Sequence, residues 1–96
     1  MHPAERVRFA IETAKAVLED RLAPDEAAAA VVLQAKQVAP LLRSDRDSVT
    51  RSESESVATQ LRMLAEQITD RASGLAETSD YTTMAKALGE MAQALR

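Results

Sequence analysis

The chain has no cysteine and no tryptophan, one histidine beside the initiator methionine, two glycines, three prolines and two aromatic residues, Phe9 and Tyr81. Each shortage closes something off. Without cysteine there is no disulfide framework, no thiolate zinc site and no cysteine nucleophile. His2 by itself cannot supply the paired Glu-x-x-His ligands of a diiron bundle. With so few Gly and Pro the chain runs in long uninterrupted stretches, and no segment alternates apolar and polar residues for long enough to argue a strand. No apolar run approaches the roughly 20 residues needed to span a bilayer. The N-terminus also lacks a charged-then-apolar leader pattern, so a cytoplasmic protein is expected.

What is present is alanine, nineteen times in 96 residues, the best helix former available. The class is therefore all-α, one domain over residues 1–96, with a core built from aliphatic side chains. Folding a chain of this size buries on the order of two-thirds of its unfolded surface. Fifteen acids against twelve bases leave a net charge of −3, split as −1 over residues 1–48 and −2 over 49–96. No half is basic, which argues against a surface for neutralising phosphates and leaves a helical DNA-associated protein as a lesser alternative. Nine Arg against three Lys, with the alanine, resembles the composition of high-GC bacterial or phage proteins.

Hydrophobic spacing predicts four helices, at about 4–22, 24–39, 48–73 and 79–95, in an antiparallel up-and-down bundle. Pro3 and Pro24 stand at first helical positions, each with acid in the following turn. The first helix carries Val7, Ala10, Ile11, Ala14, Val17, Leu18 and Leu22 on one face; Glu12 and Lys15 pair on its solvated side. The second, from Ala27 to Ala39, is apolar nearly all round, so it should be the most enclosed or touch neighbours on two sides. Pro40 should end or kink it, leaving Leu41 and Leu42 to cap the core. The third carries the stripe Val57, Leu61, Leu64, Ile68, Ala72 and Leu75, with Gly74 as a left-handed stop. Its start is spelled twice as a capping box, at Thr50 and at Ser52. At roughly 39 Å it is longer than its neighbours at roughly 24–30 Å, so its polar beginning, Ser48–Ser56, should project or meet a partner. The last, capped by Thr78, Ser79 or Asp80, presents Tyr81, Met84, Leu88, Met91 and Leu95 as a seam, weakened at Gly89.

Chemistry is sparse. Glu66 and Asp70, one turn apart, do not make a buried carboxylate cluster of the kind that holds Mg²⁺, because they fall between the apolar positions Leu64 and Ile68. Thr50 and Ser52 precede acids by three residues, a spacing that acidophilic kinases share with helix caps, and the cap is the simpler reading. Asp47-Ser48-Val49 resembles the Asp-Ser-Leu signature of acyl carrier proteins, and that resemblance implies phosphopantetheine on Ser48 of a carrier-like protein. The chain departs from that family in having no glycine before the Asp-Ser pair and a polar Ser-Glu run after it.

The reading that remains is a small acidic helical protein–protein interaction module of adaptor, regulatory, immunity or inhibitor type. It is expected to be non-enzymatic, without metal or cofactor, and to pair with another protein or with itself as a homodimer. The surplus apolar flank of the second helix, Val32, Ala35 and Ala39, and the last-helix seam at Met84, Met91 and Leu95 are the expected partner-binding residues.

Overall fold

Proline opens two of the four helices. The computed structural model describes residues 3–44 and 51–95, which form α1 (Pro3–Leu18), α2 (Pro24–Ser44), α3 (Arg51–Ala72) and α4 (Ser79–Ala94), with no strand among the described residues. In α1 and α2 the missing proline N–H falls where no intrahelical acceptor exists, and Glu5, Asp25 and Glu26 sit against the positive end of the helix dipole. The four-helix, all-α expectation holds.

Two helix ends and one residue of the α3 stripe differ from the sequence reading, each for a local reason. α1 stops at Leu18, not Leu22, because the chain closes a Schellman motif there: the Arg21 N–H donates to the Ala16 carbonyl (2.8 Å) and the Asp20 N–H to that of Val17 (3.1 Å). Asp20 takes the left-handed position usually given to glycine, at φ 59°. α2 does not end at Pro40 but continues to Ser44. Pro40 and Lys36 both lie on the exposed side of the helix, so the Lys36 carbonyl left without its donor is on the side that water can reach. Because the helix goes on, Leu41 stays on its flank, 44% exposed, and does not fold over the core. Finally, α3 ends at Ala72, with Gly74 at φ 88° as expected, so Leu75 leaves the stripe and is 46% exposed.

The extension of α2 also answers the length mismatch. At 21 and 22 residues, α2 and α3 are both roughly 32–33 Å long, against roughly 24 Å for α1 and α4. Of the predicted projection, Ser48–Thr50 lie outside the described residues and α3 begins at Arg51.

Side-chain contacts set the directions. Residues 19–23 alone join α1 to α2, and Arg6 near the start of α1 donates to Gln34 (3.3 Å) and Gln37 about midway along α2, as two antiparallel helices require. Arg71 at the end of α3 reaches Leu18 and Asp20 at the end of α1, so α1 and α3 run parallel. α4 packs chiefly on α3 and on α2, α1 chiefly on α2 and less on α3, while α1 scarcely meets α4. Round the bundle the order is therefore α1, α2, α4, α3, and α3 lies diagonally from its sequence neighbour α2.

The core has the aliphatic make-up the composition required. Leu61, Ile68, Leu88, Val31 and Val38 are fully enclosed, Ile11 and Leu64 buried, and Leu18 packs partly buried against them. Thr13 is the one polar residue buried among the described ones, and its hydroxyl donates to the Phe9 carbonyl at 2.7 Å. No buried side-chain nitrogen or oxygen of the described residues lacks a partner.

Candidate interaction surface

The six residues expected at a partner surface belong to the core or pack partly buried against it. Met84 and Met91 have no exposed surface and Ala35 is 3% exposed; Val32, Ala39 and Leu95 are partly buried against the same core. The cause is the bundle order. α2 lies between α1 and α4, so its wide apolar surface is covered on two sides by its own chain, and the methionine seam of α4 is enclosed with it. In the folded single chain these side chains do not form an outward face.

The other sequence candidates are distributed as follows. Glu12 and Lys15 pair at 3.7 Å, both well exposed, and contribute a few tenths of a kcal/mol at about the usual level for such pairs. Glu66 and Asp70 are exposed and edge a shallow depression with Ala65, Thr69 and Ala85. Among the described residues no three His, Asp or Glu side chains come together as a metal-holding group. His2, Ser48 and Thr50 lie outside the described residues, and Ser52 falls in the first turn of α3. Thr78 stands at the N-cap of α4 but makes no side-chain cap bond. The neighbouring Glu77 supplies an acceptor instead, taking bonds from the Ser79 N–H (2.9 Å) and hydroxyl (2.6 Å). The Ser79 hydroxyl, followed by its N–H, holds the Glu77 carboxyl below its ordinary pKa.

Two depressions of moderate size flank the start of α3. One, about 360 Å³, opens between α1 and α3, floored by Val7, Ile11, Val57 and Leu95 with Arg8 and Glu12 at opposite charge on its rim. The other, about 340 Å³, lies between α3 and the end of α4 beside Glu55, Thr59 and Arg62.

A different surface stands out on the α1–α2 face. Phe9 is 48% and Leu33 51% exposed. Because Arg6 is level with the turn Gln34–Gln37 and the helices are antiparallel, moving one turn along α1 and one turn back along α2 brings Phe9 and Leu33 to the same height. Exposed Ala29 and half-buried Ala30 lie within about one turn of Leu33 along α2. Sequence spacing does not single out this face, because Leu33 merges into the apolar surround of α2. The available signal is Phe9, which stands apart from the α1 stripe of Val7, Ala10, Ile11 and Ala14. Met63, 55% exposed, lies on the outer side of α3.

Comparison with protein-family models, with curated proteins and with solved structures finds no match for this chain. No helix among the described residues is long and apolar enough to cross a membrane.

Proposed function

We propose that this protein is a helical protein–protein interaction module that works by presenting the outer face of its α1–α2 pair. The observation that carries the reading is the level pairing of Phe9 with Leu33, a large aromatic and a large aliphatic side chain each half in water on adjacent helices. The buried cluster forms without them, and among the described residues its buried side-chain polar atoms are satisfied. Large apolar side chains grouped on an otherwise charged surface are characteristic of contact sites, where aromatic anchors supply much of the binding energy. On this reading the partner meets α1–α2, while the flank of α2 and the seam of α4 serve as the scaffold that holds α2 in position.

The test is capture from the native host with the wild-type chain and with Phe9→Glu/Leu33→Glu as bait, after circular dichroism shows both folded. Loss of a reproducible partner from the double variant alone supports the reading. An identical set of captured proteins, with Met63→Glu as a control for a lone exposed residue, overturns it.

A further inference from the structure

We propose that the α1–α2 face is the contact between two copies of this chain, with α2 antiparallel to the partner's α2 about a two-fold axis level with Val31. This rests on the interaction-surface reading above and names the occupant. Along the outer side of α2 stand Glu26, Ala29, Leu33 and Lys36, separated by three, four and three residues, so they form one stripe. Glu26, Ala29 and Lys36 are exposed and Leu33 is half-exposed. Glu12 with Lys15, Glu19 with Arg21 and Asp20 with Arg71 form ion pairs among the described residues; neither Glu26 nor Lys36 takes part in one there.

The stripe is self-complementary. The midpoint between Glu26 and Lys36 is residue 31, and so is the midpoint between Ala29 and Leu33. Turning a second copy by half a revolution about an axis at that height sets Glu26 opposite the partner's Lys36 and Ala29 opposite the partner's Leu33. Symmetry repeats both contacts, as in any isologous interface. Large side chain meets small, acid meets base, and each of the two charges acquires an ion-pair partner. Phe9, level with Leu33, borders the same contact at the height of the partner's Ala29. A parallel arrangement would instead set Glu26 against the partner's Glu26 and Lys36 against the partner's Lys36, which opposes it. The charges thus select orientation and register, the role that rim charges play at helical contacts.

Analytical ultracentrifugation of the full chain at low salt, from micromolar to near-millimolar concentration, reads the outcome. The wild type is expected to dimerise with concentration and to weaken with added salt. Lys36→Glu alone and Glu26→Lys alone each place two like-charge pairs in the contact and should weaken the dimer about tenfold or more. An equimolar mixture of the two variants restores both opposite-charge pairs and should recover association as a mixed dimer. Leu33→Glu abolishes it. These positions are exposed, and melting curves verify that each variant keeps its fold.

A monomeric mass at every concentration overturns the second copy as occupant. So does a dimer indifferent to Lys36→Glu and Leu33→Glu. If that monomer still loses a captured protein on Phe9→Glu/Leu33→Glu, the interaction surface stands and only the self-pairing falls. If it loses nothing, both readings fall together.

Discussion

Arg71, in the last turn of α3, donates to the carboxylate of Asp20, the left-handed residue that closes α1, and to the Leu18 carbonyl at 3.2 Å. A contact between residues 51 positions apart thus secures a helix end that local sequence leaves ambiguous. Arg71→Ala is expected to cost about 0.5–1.5 kcal/mol, since a charge-assisted bond is lost at a site largely open to solvent. Asp20→Gly gains backbone freedom at φ 59° and loses the pair, so its net change should stay within about 0.5 kcal/mol. Asp20→Val, branched where the left-handed conformation is crowded, should cost about 1–2 kcal/mol. Urea denaturation of the three variants checks this order; Asp20→Val as stable as Asp20→Gly would mean that α1 does not close this way.

Leu61 is fully enclosed and Leu75 is 46% exposed, although both belong to one apolar spacing in the sequence. Leu61→Ala should destabilise by about 2–5 kcal/mol through the cavity it leaves. Leu75→Ala should fall within about 0.5 kcal/mol of wild type. Equal losses in thermal melting would place Leu75 in the core.

The two glycines should respond with opposite signs. A Cβ at Gly89, inside α4, meets nothing within 4 Å, so Gly89→Ala should stabilise by about 0.5–1 kcal/mol through helix propensity. Gly74 has equal space but φ 88°, so Gly74→Ala should destabilise by about 1 kcal/mol. Pro40→Ala restores a donor to the interior of α2 and should stabilise by about 1–3 kcal/mol. A drop in melting temperature for Pro40→Ala would contradict a continuous α2.

Glu77 links the start of α4 to pH. Its carboxyl is held below the ordinary range by bonds from the Ser79 hydroxyl and N–H. The group binds protons less readily when folded, so its contribution is fully present above the unfolded pKa and is lost as pH falls through the lowered folded value. Amide exchange at Ser79 and the following turn should accelerate over that acid window. In Glu77→Gln, which keeps an acceptor oxygen and removes the titration, that acid step should vanish. An unchanged step would assign it to another group.

How much was legible divides by the range of the interactions involved. The buried faces of Val31, Leu61, Leu64, Ile68 and Leu88 follow from spacing of three and four residues, because a helix turns its apolar side the same way whatever covers it. The stop at Gly74 was equally local. The end of α1 was not, since an aspartate takes the place where glycine would have announced it. Nor was the passage of α2 through Pro40, where the cost of a missing bond depends on which side of the helix faces water.

Composition and periodicity alone determine four amphipathic helices, an aliphatic core and an interior free of disulfides. Tertiary structure decided which apolar surfaces remain outside. Val32, Ala35 and Ala39 read as surplus on an isolated helix, as did Met84 and Met91 on another. With α2 set between α1 and α4, Ala35, Met84 and Met91 are buried and Val32 and Ala39 partly buried within the chain, while Phe9 and Leu33 are left half in water. Spacing sets the direction in which a side chain points, but whether anything stands there depends on how the helices are ordered round the bundle.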